Sequence, residues 1–273
     1  MSNRKKPTKK AAPVLDVAIT TAGRFDLLEI CLNALDAQEN APSFRTLLID
    51  NASDAGERLR NIKLFERVES KRLTQNVGFP KAANEGARMG SAPLILFLSD
   101  DVELKPDVLD IMVSHMKDKT IGILGVKLLF PDNSSHLNRP AGKVQHIGLA
   151  MNINGDIIHP LVGWSPDNPK CCVTREVIGV TGACFMVRRD LFQKVGGFYA
   201  GYGLGTFEDI DMCMYVRRLE KKVVVNTDAV GYHYTGATAE KRQQAFPLQQ
   251  NSLIFKARWA QSGLFQWNDY KFY

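Results

Sequence analysis

No apolar run in the 273 residues approaches the roughly 18 needed to span a bilayer, so no membrane-crossing helix is expected. The charged N-terminal stretch has no apolar segment behind it, which argues against a secretory signal. Cysteine is sparse. Cys31, Cys171, Cys172, Cys184 and Cys213 are odd in number and form no C-x-x-C pair, which fits reduced thiols in a cytoplasmic setting rather than a disulfide framework. Neither H-E-x-x-H nor a Walker A loop is present. Gly201, Gly203 and Gly205 follow no suitable strand, so they do not form a dinucleotide fingerprint. Internal repeats are absent too. Together these gaps exclude disulfide scaffolds, HExxH metalloproteases and P-loop nucleotidases.

What is present is an ordinary globular composition, 45% hydrophobic and 23% charged, sufficient for a sizeable core. Thirty-five Lys and Arg against 29 Asp and Glu give a formal charge of +6. Arg4, Lys5, Lys6, Lys9 and Lys10 place most of that excess in the first 12 residues, where there is no acid. The rest of the chain is nearly neutral, so the basic balance alone does not make it a nucleic-acid binder. The expected organisation is a disordered basic tail over 1–13, a catalytic α/β domain over 14–245, and a C-terminal helical extension over 246–273.

Strand-like and helical patterns alternate through the first half. Strands are expected at Val14–Thr20, Phe44–Asp50, Arg67–Leu73 and Pro93–Leu98, with helices over Asp26–Ala37 and from Pro80 to Met89. The unbroken apolar run at Pro93–Leu98 reads as a strand buried on both faces. This alternation predicts a doubly wound, mostly parallel sheet flanked by helices. Further on, Asn154-Gly155 signals a hairpin between Val144–Met151 and Asp156–His159. A strand over Val177–Val187 and a helix over Arg188–Val195, stopped by Gly196-Gly197, follow. The glycine-bearing Tyr199–Thr206 reads as a mobile loop. A helix over Phe207–Lys221, a strand at Val223–Asn226 and a last helix near Phe246–Gln261 complete the pattern.

Three constellations carry chemistry. Ser99-Asp100-Asp101-Val102 follows the buried strand, where open α/β sheets bind ligands. Adjacent carboxylates there repel unless a cation compensates, and a hard divalent ion bridging to phosphates would do so. The alternative is that one aspartate caps the next helix, which Pro106, as a first helical residue, disfavours. Thr206-Phe207-Glu208-Asp209-Ile210-Asp211 crowds three acids at a helix start. Thr206 and Asp209 fit a capping box, while a general base on a rigid helix is the competing reading. Glu208 and Asp211 share a face, so one acid can address a cleft while another packs. His233, after a short strand, is either a structural histidine or a ligand completing the shell of a cation at Asp101.

In their order and spacing these segments resemble the family two nucleotide-sugar glycosyltransferases, from about Val14 to Tyr234. Leu48-Ile49-Asp50-Asn51-Ala52-Ser53 is similar to a nucleoside-contacting segment, and Asn76-Val77-Gly78-Phe79 with Ala82 and Asn84 to the N-x-G-F…A-x-N segment. Phe97–Val102 resembles the DxD-like metal site. Thr181–Arg189 with Val195-Gly196-Gly197-Phe198 is similar to the stretch before the acidic helix, Glu208-Asp209-x-Asp211 to its E-D motif, and His233 to the late histidine.

The resemblance implies a GT-A fold: a Rossmann-like, mostly parallel central sheet with a smaller mixed acceptor-side subregion. It implies inverting transfer from a nucleoside-diphosphate sugar, with a UDP-sugar favoured, dependent on Mn²⁺ or Mg²⁺. The acceptor would be a glycan, a lipid-linked or a small-molecule hydroxyl. Asp209 would be the catalytic base, and Asp101 and His233 the metal ligands. Thr21, Arg24, Asp50, Asn51, Asn76, Gly78, Asn84, Asp100, Gly182 and Glu208 would contact the nucleotide-sugar. The chain departs from the family at Thr21-Ala22-Gly23-Arg24, where TyNR is frequent, at Ser99, where Asp or Asn is usual, and at Tyr199, where an acid is common. Two other readings remain beside this one. One is a non-catalytic sugar- or nucleotide-binding module. The other is transfer onto a modified base of nucleic acid, which draws on the basic tail and aromatics such as Trp164, Trp259 and Trp267 and would require base flipping.

Overall fold

The computed structural model describes residues 12–131, 140–152, 154–234 and 246–264. The basic residues of the tail and Trp267 lie outside them. In the first half, β1 (Leu15–Thr21), β2 (Phe44–Asp50), β3 (Glu69–Arg72) and β4 (Leu94–Ser99) pair in parallel in the order β3-β2-β1-β4. Helices α1 (Phe25–Asp36), α2 (Ala55–Arg60), α3 (Ile62–Glu66) and α4 (Phe79–Met89) make the crossovers. α1 buries Leu28, Cys31, Leu32 and Leu35, a spacing that puts one face on the sheet. Pro80 enters α4 in its first turn, where a missing N–H costs nothing.

β4 shows why an unbroken apolar run makes a central strand. Ile95 and Phe97 join the core on one side of the sheet, while Leu94, Leu96 and Leu98 join the core on the other. Asp16, wholly buried on the interior strand β1, accepts from Arg189 (2.6 Å), Arg45 (2.8 Å) and the Ala92 amide (2.8 Å), tying the start of β1 to β2 and to the turn before β4.

The second half departs further from the expected pattern. β5 (Val102–Leu104) and the nine-residue, fully buried β6 (Ile121–Leu129) were not anticipated, and the helix expected to open at Pro106 is α5 (Val108–His115). Pro106 does not open α5. β5 pairs with β12 (Lys222–His233) and the Lys105 amide donates to the Val230 carbonyl (3.0 Å), so the chain stays extended to Lys105, and Pro106-Asp107 then turns into the helix with Asp107 (φ 71°) as its N-cap. β7 (Val144–His146) pairs with β6, whereas β8 (Ala150–Met151) and β9 (Ile157–Ile158) form their own two-stranded sheet around the predicted turn, with Gly155 at φ +76°. The strand expected over Val177–Val187 is reduced to β11 (Cys184–Arg188), preceded by the short β10 (Arg175–Glu176). β12 is far longer than Val223–Asn226 and carries the chain out to His233.

The large sheet continues β4-β11-β6-β12-β10. β11 runs antiparallel to both neighbours and β6 parallel to β12, so parallel pairing dominates the long ladders. α6 (Arg189–Val195) stops at Gly196, which supplies the left-handed cap (φ 88°) that only glycine adopts without strain. α7 (Glu208–Arg218) and α8 (Leu248–Trp259) complete the elements. Phe255 and Trp259 of α8 are 2% exposed and share a core cluster with Phe198 and Tyr202, so α8 is part of the domain's own core. Among the described residues no helix is long and apolar enough to cross a membrane.

Candidate active site

A cavity of about 320 Å³ opens at the carboxyl ends of β1, β2 and β4, the position where open α/β sheets bind ligands. Of the residues singled out in the sequence, Asn51, Asn76, Asp100, Asp101, Gly182, Glu208, Asp209 and His233 line it.

Asp100 and Asp101 occupy the turn between β4 and β5, so neither caps a helix. The β5–β12 register sets His233 opposite Val102, which brings His233 Nε2 to 3.3 Å from Asp101 Oδ1. Gln145 orients the ring. Its amide nitrogen lies 3.4 Å from the His233 carbonyl, which turns its oxygen to His233 Nδ1 at 2.9 Å. Nδ1 therefore donates to Gln145, and Nε2 faces the Asp101 carboxylate, to which the protonated ring donates. With the ring neutral, the same two atoms are placed to share a cation. Asp100 Oδ2 is buried with no hydrogen-bond partner among the described residues. Burial and then the Asp101 charge push the Asp100 carboxyl up to about 7. Burial also acts to raise Asp101, but the nearby His233 outweighs it and holds that carboxyl below its ordinary value.

This donor set fits Mn²⁺ or Mg²⁺. An imidazole nitrogen and a carboxylate oxygen converge, and Oδ2 of a second carboxylate has no hydrogen-bond partner among the described residues. Among the described residues no group of three or more His, Cys, Asp or Glu closes a cage, which leaves coordination positions for phosphate oxygens and water.

Asp209 sits on another part of the same wall. Its Oδ2 accepts from the Gly182 amide (2.8 Å) and its Oδ1 from the Ile210 amide (2.7 Å). Burial raises its carboxyl against those two donors, and burial followed by the Asp209 charge lifts Glu208 to about 8. Glu208 Oε2 also lacks a hydrogen-bond partner among the described residues.

The capping box expected of Thr206 and Asp209 does not form. Gly205, Thr206 and Phe207 all take positive φ (133°, 80° and 70°), which turns Thr206 away from the helix start and makes Phe207 the N-cap. Such backbone strain in non-glycine residues persists only where the surroundings impose it. Here the Asn251 amide donates to the carbonyls of Tyr202 (3.0 Å) and Gly205 (2.8 Å) and to Thr206 Oγ1 (3.0 Å). The Phe79 amide adds a bond to the Leu204 carbonyl (3.0 Å), so the segment read as a mobile loop is tied from two sides. Asp211, the third acid, turns away from the cavity and accepts from Tyr202, Arg258 and Trp259.

Five expected contact residues do not reach the cavity wall. Asp50 is fully buried, with Oδ1 bound by the Ser53 amide (2.9 Å) and Oδ2 by Arg72 (2.7 Å) and Arg58 (2.9 Å), so its carboxylate shapes the loop after β2. Asn84 clamps the backbone N–H and carbonyl of Phe198 (2.9 Å each). Thr21 hydrogen-bonds Asp100 from behind, and Arg24 pairs with Asp26 (2.8 Å). Gly78, at φ +82°, lies where a Cβ would drive into the Gly203 carbonyl, a rigid backbone group. Gly78→Ala should therefore cost roughly 1–3 kcal/mol of stability through strain and a displaced glycine loop, read as a lower urea midpoint.

Residues 16–196 match the family described as Glycosyl transferase family 2. The chain belongs to that family. It is 28% identical over 248 residues to the O-antigen biosynthesis protein RfbC of Myxococcus xanthus, covering 87% of this chain and 18% of that protein. It is 24% identical over 265 residues to the uncharacterized protein y4gI of Sinorhizobium fredii, covering 92% of this chain and 28% of the relative. The chain thus spans less than a third of either curated relative's length.

Among solved structures it resembles GalNAc-T7 with UDP, GalNAc and Mn²⁺ (TM-score 0.66, 14% identity, 81% of this chain and 43% of the other). It also resembles the mannosyltransferase PcManGT from Pyrobaculum calidifontis in complex with GDP-Man and Mn²⁺ (TM-score 0.60, 15% identity, 92% of this chain and 65% of the other). At these identities the likeness shows the fold, which is GT-A.

Three positioning residues of this family 2 domain escaped sequence reasoning. Gln145 orients His233. His146, held neutral by burial, accepts from the amides of Gly148 and Thr181 (3.2 Å each) and so fixes the strand entry carrying Gly182. Asn251 holds the glycine loop. Each acts through one side chain on a partner distant in sequence, and no local spacing announces such a pair.

Proposed function

We propose that this family 2 domain is a metal-dependent, inverting glycosyltransferase that moves a sugar from a nucleoside-diphosphate sugar to an acceptor hydroxyl. The observation that carries the reading is that one cavity is lined both by the Asp101–His233 pair, with Asp100 beside it, and by Asp209. The Mn²⁺ complexes of GalNAc-T7 with UDP and of PcManGT with GDP-Man support a nucleotide-sugar donor and a divalent ion here, with a UDP-sugar as the first donor to test. The reduced state of Cys31, Cys171, Cys172, Cys184 and Cys213 supports a cytoplasmic setting.

In this reading Asp101 and His233, with Asp100 beside them, would hold Mn²⁺ or Mg²⁺. The bound ion would offset the charge that develops on the departing diphosphate. Asn51 and Asn76, joined by a 2.9 Å hydrogen bond, shape the donor side of the cavity. Asp209, held by the Gly182 and Ile210 amides, takes the proton of the acceptor hydroxyl. That oxygen forms a bond to the anomeric carbon while the carbon–oxygen bond to the diphosphate breaks, its electron pair leaving with the nucleotide. Attack opposite the leaving group inverts the anomeric centre. A buried carboxylate with a raised pKa suits this work, because proton transfer is most efficient when the base titrates nearer the working pH.

The test is a panel of UDP- and GDP-sugars with Mn²⁺ or Mg²⁺, reading nucleoside diphosphate release and the anomeric configuration of the product by NMR. EDTA should suppress turnover and added Mn²⁺ restore it. Gln145→Leu, which frees the His233 ring, should weaken Mn²⁺ binding roughly 10–100-fold by EPR titration, as loss of outer-shell partners does elsewhere. Full turnover in EDTA, or a product with retained configuration, would remove the metal or the inverting step from the proposal.

A further inference from the structure

We propose that Phe246 forms the floor of an acceptor subsite for a pyranose ring, so that the hydroxyl addressed by Asp209 belongs to a carbohydrate. For its chemistry this rests on the transferase reading above; for its binding it stands by itself.

The first observation is where the cavity wall comes from. Asn51, Asn76, Asp100 and Asp101 fall within the stretch matched by the family, which ends at residue 196. Phe246 lines the same cavity from beyond it and outside every segment that resembles the family, whereas Glu208 and Asp209 belong to a motif that does. A shared reaction is carried by shared parts, and the identity of the substrate by parts that differ.

The second observation is the chemistry of that outer wall. Phe246 remains 43% exposed although it lines the cavity. Phe246 and Phe79 both border Gly205: the point a Cβ would occupy there lies 3.4 Å from Phe79 Cβ and 3.8 Å from Phe246 Cε1. An apolar floor therefore adjoins two carboxylates, one of which, Glu208, has a buried Oε2 with no partner among the described residues. A pyranose presents this combination in reverse. Its axial C–H face stacks on an aromatic ring, and the equatorial hydroxyls on its rim donate to carboxylates.

The third observation is that Phe246 is held in place. Pro247 caps α8, and Asn251, one turn on, is bonded to the carbonyls of Tyr202 and Gly205. Arg258 and Trp259 bind Asp211 of the same helix that carries Asp209 (2.8 and 2.7 Å). The floor and the base are thus parts of one braced unit, which is the arrangement that orients a hydroxyl toward its base.

The experiment is saturation-transfer NMR on the full chain with methyl pyranosides of glucose, galactose, mannose and N-acetylglucosamine, with and without UDP or GDP and Mn²⁺. At least one pyranoside should show transfer to its ring C–H protons. Phe246→Ala should weaken that binding about tenfold and Phe246→Trp should preserve it, as expected when roughly one stacking contact is lost or replaced. UDP and GDP affinity should be unchanged in both variants. The proposal is overturned if no pyranoside binds the wild type, if Phe246→Ala leaves binding intact, or if that variant loses nucleotide affinity, which would move Phe246 to the donor side. Phe246-dependent pyranoside binding in a chain that binds neither UDP nor GDP would uphold the subsite and sink the transferase reading.

Discussion

Replacing Asp209 with asparagine is expected to lower kcat by roughly 10²–10⁴-fold, the range that a positioned acid or base contributes. Nucleotide-sugar affinity should stay near wild type, because the donor-side residues Asn51, Asn76, Asp100 and Asp101 are untouched. The asparagine oxygen can still accept one of the two amides, from Gly182 or Ile210, and the other loses its acceptor. That should cost about 1–3 kcal/mol of stability, small enough for the domain to remain folded. The pH profile separates a base from a merely structural group. Burial raises the Asp209 carboxyl, so the acid limb of kcat/KM should lie above the ordinary range for an aspartate, with activity rising as the proton leaves, and the limb should vanish in Asp209→Asn. Isothermal titration of the donor and single-turnover release of nucleoside diphosphate make the comparison. Undiminished turnover would transfer the base role away from Asp209, with Glu208→Gln the next variant to measure.

The second large effect concerns stability. Asp211→Ala should destabilise the domain by about 3–5 kcal/mol, the cost of stripping one partner from a buried charged network. Asp211 is 2% exposed and accepts from Tyr202 Oη (3.0 Å), Arg258 Nε (2.8 Å) and Trp259 Nε1 (2.7 Å). Removing it orphans a buried phenol and a buried indole and leaves Arg258, stacked 3.9 Å over Tyr199, without its carboxylate. α8 should loosen first, since Arg258 and Trp259 belong to it. The measurement is a urea titration in which the midpoint falls while the slope holds. Asp211→Asn keeps the shape and one acceptor and should lose less. A shift under about 1 kcal/mol for Asp211→Ala would mean the network contributes no more than a surface pair.

Much of the donor half was legible because its signals are local. A continuous apolar run marks a strand buried on both faces, and Leu94–Ser99 is one. Adjacent aspartates immediately after that strand stand at the mouth of the sheet, and they line the cavity. Asn51 and Asn76 could be named from their segments for the same reason. Asp50 and Asn84 belong to those segments too, yet their side chains bond Arg58, Arg72 and the Phe198 backbone instead of facing the cavity. Which way a side chain turns depends on the residues that meet it, and those come from other parts of the chain.

The outer half was less legible for a related reason. β12 read as a four-residue strand because its outer segment, Thr227–His233, holds mixed polar and apolar residues. It becomes a strand by pairing with β6 and β5, and only that pairing carries His233 back to Asp101. A capping box was a fair reading of Thr206 and Asp209. Three successive positive φ angles, imposed by Asn251 and Phe79, cancel it.

The amino-acid sequence by itself determined the class of the fold, the family and the order in which the acids appear, since hydrophobic period, turn residues and short motifs are written in neighbouring positions. The tertiary structure decided which acid faces the cavity and which packs, that Gln145 sets the His233 ring, and that Phe246 and Phe79 both border Gly205. Those outcomes depend on contacts between positions far apart in the chain, 88 residues for Gln145 and His233, whose geometry exists only once two halves of one sheet and the helix that braces them have closed on each other.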